Sequence, residues 1–131
     1  KMDGDLTVLK WEKKLSFSTL CAEIKTLGKD CVIVLSGGSL PHIGCAVLAV
    51  PRPSLLKNGE VSVTSSVLNL PGHKDEFICR KVAEAAAKAR NASVLCTGGF
   101  HFDEITEEQI REVLESAEEL AEWTWRNAER F

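Results

Sequence analysis

Long hydrophobic runs are missing from this chain. Its longest uninterrupted apolar stretch covers residues 45–51, far short of the roughly 20 residues that a membrane-spanning helix needs. The opening residues, "KMDGDLTVLK", contain no apolar core of a secretory signal peptide. We therefore expect a cytoplasmic protein that does not contact a membrane.

Paired cysteines are missing as well. The five cysteines are an odd number, no two of them form a C-x-x-C pair, and most lie in apolar runs such as "CVIVL" and "SVLCTGG". Thiols in such runs are usually reduced core residues that pack as small hydrophobic side chains. We expect neither a disulfide framework nor a zinc site on thiolates. The five residues are Cys21, Cys31, Cys45, Cys79 and Cys96.

A basic stripe with interleaved aromatic residues, the usual mark of nucleic-acid binding, is also absent. The formal net charge is −3. Acidic residues are concentrated at 103–122, where Arg111 is the one base. The simplest interpretation of this acidic run is a solvated helix face. Nucleic acid is therefore a poor candidate partner.

The size and composition of the chain are those of one globular domain. It has 131 residues, of which 44% are hydrophobic and 27% are charged, and this balance excludes disorder and collagen-like repeats. A chain of this length buries roughly two thirds of the surface that its unfolded form exposes. No repeat or linker divides it, so we predict a single domain over residues 1–131.

Two short apolar runs predict buried strands. They cover residues 31–36 and 45–50 and are bounded by turn-forming residues. Pro51 and Pro53 follow the second run, and proline is confined to sheet edges or strand ends because it cannot donate a ladder hydrogen bond. The second strand is thus expected to reach an edge.

Further strands are predicted on both sides of these two. The "KNG" at 57–59 predicts a tight turn into an alternating strand at 61–70. Residues 16–28 carry apolar residues at both helical and strand spacing. We favour a strand, because a turn at "GKD" (28–30) would join it directly to the next strand as a hairpin. Residues 93–102 predict one more strand.

A first helix is predicted from His73 to about Arg90. Asp75 and Glu76 lie in its first turn and Lys88 in its last, as the helix dipole favours. Its apolar stripe consists of Ile78, Val82, Ala85, Ala86 and Ala89.

A second helix is predicted from Thr106, whose hydroxyl forms a capping box with Gln109. Near its end, Trp123 and Trp125 are candidates for either packing or a subunit contact. The order of elements favours an α+β fold with a mostly antiparallel sheet and two main helices packed on it. The core-facing residues of this helix are predicted to be Ile110, Val113, Leu114, Ala117, Leu120, Ala121 and Thr124.

Three histidines lie in three glycine-containing loops. His42 lies in "GGSLPHIG", His73 in "LPGHKD" and His101 in "TGGFHFD". Glycines leave backbone N–H groups free to approach an anion, and a helix start such as that beside Lys74 favours phosphate. One hypothesis is that the loops converge at one end of the sheet to bind a phosphorylated or anionic ligand. The alternative is three plain turns, with each histidine bonded to a nearby carbonyl.

Two enzymatic alternatives stay open on the residues alone. The histidines with Asp75 and Asp103 could bind a metal, although no two histidines have i, i+4 spacing. Cys45 or Ser39 beside His42 could act as a nucleophile, although Cys45 opens an apolar strand and fits the core better. Neither the G-x-x-x-x-G-K-[ST] nor the G-x-G-x-x-G phosphate-binding fingerprint is present.

Taken together, four segments resemble one family. "GGSLPHIG", "HKDEFICRKVAEA", the glycine–histidine strand end and "ITEEQI" resemble the prenylated flavin chaperone-like proteins, the small D subunits associated with gallate-type hydroxyarylic acid decarboxylases. The resemblance covers residues 16–125. Two departures, the double glycine of "TGGFH" and Cys45 after "PHIG", leave the subfamily and the partner open.

The resemblance implies a non-catalytic protein with a fold like that of proteasome-assembly chaperones, forming a homodimer. Such a protein would bind or deliver prenylated flavin mononucleotide (FMN) or FMN itself, without a metal, to a prenylated-flavin-dependent aromatic acid decarboxylase, or help that partner mature. The alternatives are an assembly chaperone or interaction module that binds no flavin and, less favoured, a small metal-dependent enzyme. The positions carried over for cofactor binding are Gly37, Gly38, Pro41, His42, Ile43, Gly44, His73, Lys74, Asp75, Gly98 and His101.

Overall fold

The computed structural model describes residues 8–53, 60–70 and 75–131. The predicted turn at 57–59 and the predicted helix start at His73 and Lys74 lie outside these residues. The elements, in chain order, are β1 (Val8–Lys14), β2 (Thr19–Leu27), β3 (Asp30–Gly38), β4 (Cys45–Pro53), β5 (Val61–Asn69), α1 (Asp75–Arg90), β6 (Val94–His101), α2 (Glu107–Arg126) and a short 3-10 turn (Ala128–Arg130).

The six strands form one sheet in the order β1-β2-β3-β6-β4-β5. Every neighbouring pair is antiparallel except β3 and β6, which run parallel and place Gly38 opposite His101. Both helices pack on one face of this sheet and bury its core side chains. The predicted α+β fold, with a mostly antiparallel sheet and two main helices, is confirmed.

The first strand, β1, was not predicted. It is an edge strand that pairs only with β2, and its sequence alternates charged residues with Leu9 and Trp11, which pack against the core. An edge strand needs few apolar residues, because it packs against the core on one face and pairs on one side. The alternating pattern that predicts a strand is therefore weak in β1. The preference for a strand at 16–28 is confirmed, because β2 and β3 form a hairpin that turns at Gly28.

The prolines of β4 lie in the half of the strand that has a neighbouring strand on one side. Residues 45–49 of β4 pair with both β5 and β6, whereas Pro51 and Pro53 pair only with β5. The second half of β4 is therefore an edge on the side of β6, where a missing N–H donor leaves no ladder bond unmade. This confirms the expectation drawn from the two prolines.

The buried surface of α1 is wider than the predicted stripe. Ala85 and Ala89, predicted to face the core, are only half-buried. Cys79, Ala83 and Ala87, which the stripe omitted, are fully buried. The reason is that α1 packs against the sheet and against α2 at the same time, so two adjacent rows of its side chains lose contact with water.

The second helix begins as predicted. The Thr106 hydroxyl accepts a hydrogen bond from the Gln109 N–H at 3.1 Å, and the Gln109 side chain accepts one from the Thr106 N–H at 2.9 Å. Trp123 packs against the core and stacks on Phe131, whereas Trp125 is exposed. Of the seven predicted core residues of α2, all but the half-buried Ile110 and Leu114 are buried.

All five cysteines are free thiols, and four of them are buried, as expected for reduced core residues. Burial raises the pKa of Cys31 to about 11, so this thiol is neutral at pH 7. Neither helix of the described residues combines the length and the apolar character that crossing a bilayer requires.

Two glycines with positive φ angles provide a matched test of strand geometry. Gly98 has φ +125°, and a Cβ there would lie 1.8 Å from the carbonyl oxygen of Leu35. Gly28 has φ +64°, but a Cβ there would meet no atom within 4 Å. We predict that Gly98→Ala lowers the free energy of unfolding by more than about 3 kcal/mol and Gly28→Ala by about 1–2 kcal/mol. Urea unfolding followed by circular dichroism measures both, and equal losses would contradict this geometry.

Candidate functional site

The parallel pairing of β3 and β6 brings two histidine-containing segments to one edge of the sheet. Both strands end there, and the loop that follows β3 begins with Ser39, whose N–H donates to the His101 carbonyl at 2.8 Å. This loop carries His42 back toward the strand end. The predicted convergence of the first and third histidine loops is thus seen in the structure.

Asp75, the first residue of α1, is buried at this edge and is only 5% exposed. One carboxylate oxygen, Oδ1, accepts the Phe100 N–H at 2.9 Å. The other, Oδ2, lies 3.2 Å from His42 Nε2. A buried carboxylate is costly unless its oxygens find partners, and here the strand end and the loop supply both of them.

The rings of His42 and His101 are neighbours and meet edge to face. Their centroids are 6.1 Å apart, and the planes are nearly perpendicular. His101 Nε2 lies 3.0 Å from Asp103 Oδ1, so each imidazole is held by a carboxylate. The pairs differ in burial, because the Asp75 side chain is buried and that of Asp103 is 85% exposed.

Two glycines provide the space that the buried pair needs. A Cβ at Gly44 would lie 1.9 Å from Asp75 Oδ2, and one at Gly99 would lie 2.8 Å from the same oxygen and 3.0 Å from His42 Cε1. Any larger residue at either position would displace the carboxylate or the ring. Gly99 was not among the predicted site residues; the doubled glycine of "TGGFH" was the signal that pointed to it.

Two of these glycines do not have the free backbone N–H group that was expected of them. The Gly38 N–H donates to the Ser18 hydroxyl at 3.1 Å, and the Gly44 N–H donates to the Gly98 carbonyl at 2.8 Å. Gly38 instead allows a close approach, since a Cβ there would lie 1.8 Å from the His101 carbonyl oxygen. The N–H groups of Gly38 and Gly44 are therefore already bonded within the protein, and the imidazole groups of His42 and His101 are exposed at this edge.

Of the other positions predicted to bind the cofactor, one packs against a ring, two are exposed, and two lie outside the described residues. Gly37 packs beneath the Phe100 ring, where a Cβ would lie 2.6 Å from a ring carbon. Pro41 and Ile43 are exposed in the loop beside His42. His73 and Lys74 lie outside the described residues.

Several exposed apolar side chains belong to the segments that adjoin His42 and Asp75. Ile43 and Leu40 lie in the same loop as His42. Leu70 is tied to this loop by its N–H, which donates to the Gly44 carbonyl at 3.0 Å, and Phe77 follows Asp75 by two residues in α1. We call Leu40, Ile43, Leu70 and Phe77 the apolar rim. Each of them is about half or more exposed.

A cluster of buried thiols lies next to this site. Cys45 follows Gly44 and is fully buried. Burial and the neighbouring Cys79 thiol raise the pKa of Cys45 above its ordinary value. A hydrogen bond with Cys96, together with burial, does the same for Cys79. Thiols in this state are neutral and weakly nucleophilic, which favours a core role for Cys45 over a catalytic one.

Several cavities lie in the described part of the chain. One, of about 480 Å³, lies between β1 and α2 and is lined by Trp11, Trp123 and several glutamates. The cavity that reaches Asp75 is only about 30 Å³ and is mostly apolar. The side chains of His42 and His101 are 37% and 48% exposed, so both rings reach solvent. The described part of the chain contains no cluster of three or more histidine, cysteine, aspartate or glutamate side chains able to hold a metal ion.

The fold of the chain is similar to that of a known structure. A solved structure described as a novel chaperone complex for yeast 20S proteasome assembly is similar to this chain, with a TM-score of 0.50 and 11% identity. The match covers 91% of this chain and 97% of that chain. This likeness shows the fold alone, and it confirms the expected proteasome-assembly-chaperone-like architecture.

Residues 16–129 match the family described as the prenylated flavin chaperone LpdD-like domain, and the protein belongs to this family. The resemblance based on its sequence motifs is thereby confirmed. The chain is also similar to Protein LpdD of Lactiplantibacillus plantarum, with 27% identity over 105 residues. That match covers 76% of this chain and 70% of the relative.

The different burial of the two carboxylates predicts different effects of removing them. Asp75→Ala leaves the Phe100 N–H without its acceptor in a partly buried position, which costs about 1–3 kcal/mol of the free energy of unfolding. Asp103→Ala removes an exposed partner and should leave the free energy of unfolding nearly unchanged. Urea titrations of both variants measure the difference. A loss at Asp103 as large as that at Asp75 would contradict the assigned roles.

Proposed function

We propose that the chain is a non-catalytic accessory protein that binds prenylated FMN, or FMN itself. It delivers this cofactor to a prenylated-flavin-dependent aromatic acid decarboxylase or helps that enzyme mature. The observation that carries the proposal is the opposition of His42 and His101, each held by a carboxylate, in a chain of the prenylated flavin chaperone family.

The donors at this edge suit the phosphate of a flavin mononucleotide. Phosphate oxygens accept hydrogen bonds, and imidazole N–H groups are donors of the required kind. The Nε2 atoms of His42 and His101 contact Asp75 and Asp103, which leaves Nδ1 of each ring for a ligand. Because Nε2–H donates to the carboxylate, Nδ1 donates to a phosphate oxygen when the ring is the doubly protonated imidazolium. Because Asp75 is fixed by the Phe100 N–H, the His42 ring is oriented before a ligand arrives.

The apolar rim suits the ring system of the same cofactor. An isoalloxazine ring is large, flat and mostly apolar, and binding sites for such groups combine hydrophobic side chains with a few polar ones. Leu40, Ile43 and Phe77 provide exposed apolar surface beside the imidazole groups. Solvent-exposed imidazole rings also fit a protein that must release its cofactor to a partner.

The remaining parts of the proposal follow from this role. The partner is the catalytic subunit of the decarboxylase, and the chain itself has no activity. Free thiols fit a cytoplasmic location, where cysteines stay reduced. The homodimer implied by the family resemblance stays a prediction.

Calorimetric titration with FMN and with riboflavin, which lacks the phosphate, tests the proposal. We predict that the wild-type protein binds FMN with a Kd below about 100 μM, which corresponds to about −5.5 kcal/mol. Riboflavin should bind at least tenfold more weakly. The double variant His42→Ala/His101→Ala should lose at least tenfold in FMN affinity, because both phosphate donors are gone.

Lys88→Ala is the matched control, since Lys88 lies in the last turn of α1, about 20 Å along the helix from Asp75. It should bind FMN as the wild type does. Circular dichroism checks that the double variant is folded, and the comparison with riboflavin needs no variant at all. Failure of FMN and of reduced prenylated FMN to bind would refute the proposal and favour an interaction module that binds no flavin.

A further inference from the structure

The cavity of about 480 Å³ between β1 and α2 takes no part in the proposed function, and none of the positions assigned to flavin binding lines it. Its volume falls within the range of about 300–1,000 Å³ that binding sites for compact ligands occupy. We call this cavity the β1–α2 groove. It is lined chiefly by two tryptophans and four glutamates, which are Trp11, Trp123, Glu115, Glu118, Glu119 and Glu122.

The four glutamates form one row along α2. They recur at intervals of three and four residues, which places them on the same face of the helix. Like charges at these intervals repel each other and destabilise a helix. From Glu115 to Glu122 the row extends about 10 Å along the helix axis. The groove thus concentrates negative charge at a cost to the helix that carries it.

Cations beside the groove balance part of this charge. Three of the four glutamates have a cationic neighbour, in the pairs Lys81–Glu118, Lys13–Glu119 and Arg126–Glu122. Exposed ion pairs of this kind contribute little to stability, so a ligand cation can replace the lysine or arginine without a large loss. Glu115 has no ion-pair partner within residues 8–53, 60–70 and 75–131.

The two tryptophans give the groove an aromatic surface beside the carboxylates. Trp123 is held in place by stacking on Phe131, with the ring centroids 5.7 Å apart and the planes inclined by 7°. The Arg130 guanidinium carbon lies 5.9 Å from the centroid of the Trp123 ring, so this indole already accepts a cationic group. Trp11 packs partly against the core, and no described residue places a second ring or a cation over it.

We propose that the β1–α2 groove binds a basic segment of a partner protein, in which arginine or lysine alternates with apolar residues. The cationic groups pair with the carboxylates of α2, and the apolar side chains contact the indole of Trp11. Opposite charges on the two surfaces also speed their association. Binding at this groove is independent of flavin binding at the histidines.

The length of the carboxylate row favours a protein segment over a free amine. A single ammonium or guanidinium group reaches one or two carboxylates, whereas the row extends about 10 Å. In an extended segment, alternate side chains point to the same side and are about 6.6 Å apart. Two or three cations of one segment therefore match the row from Glu115 to Glu122.

Nuclear magnetic resonance of the indole groups tests the proposal on the wild-type protein. The chain has three tryptophans, and each gives one indole N–H signal, which is assigned by replacing each tryptophan in turn with phenylalanine. The probe is a capped octapeptide in which arginine alternates with leucine. It should shift the signals of Trp11 and Trp123. The signal of Trp125, which lines a different groove with Val63 and Ala85, should stay in place.

Two charge reversals separate the groove from the general acidity of residues 103–122. Glu115→Lys places a cation in the groove and should raise the Kd of the peptide at least fivefold. Glu104→Lys is the matched control, because it makes the same change in net charge at a residue that does not line the groove. It should change the Kd less than twofold. Both residues are exposed, and circular dichroism checks that both variants are folded.

Failure of the peptide to bind the wild type at about 1 mM would overturn the proposal. So would equal shifts of all three indole signals, or an equal loss of affinity in both charge reversals. Equally tight binding of an octapeptide with glutamate in place of arginine would contradict the assigned charge. Binding of arginine amide as tight as that of the peptide would also overturn the proposal, because a single cation would then suffice.

Discussion

The buried carboxylate of Asp75 joins three distant parts of the chain. It belongs to the first turn of α1, accepts a hydrogen bond from the strand end at Phe100, and contacts His42 in the loop between β3 and β4. Gly44 and Gly99 have no side chain because this carboxylate and the His42 ring fill the space beside them. The geometry of the candidate site therefore follows from one desolvated charge and the groups that satisfy it.

Much of this arrangement could be predicted from local patterns. The capping box at Thr106 depends on neighbouring residues only, and Pro51 indicates a sheet edge because it lacks an N–H group, so both could be predicted from the sequence. The β2–β3 hairpin was predicted from the turn at 28–30 for the same reason. The motifs "PHIG" and "HKD" contain His42 and Asp75, and the structure brings these two residues within 3.2 Å of each other.

The remaining features depend on long-range pairing, which local patterns do not encode. The parallel pairing of β3 with β6 places Gly38 opposite His101, although 63 residues of sequence separate them. The antiparallel pairing of β4 with β6 likewise shows that the Gly44 N–H donates to the Gly98 carbonyl, so that Gly44 provides space beside Asp75 and not a free donor. The strand β1 was not predicted, because an edge strand needs few apolar residues and its sequence pattern is weak.

In the function that we propose, His42 and His101 together hold the phosphate of a flavin mononucleotide. Nuclear magnetic resonance of protein with ¹⁵N-labelled histidine tests it most directly, because the imidazole nitrogens report on their own hydrogen bonds. The account predicts that FMN shifts the ring resonances of both residues, and that riboflavin shifts them much less. Ring resonances that stay unchanged at about 1 mM FMN, or that respond equally to riboflavin, would contradict it.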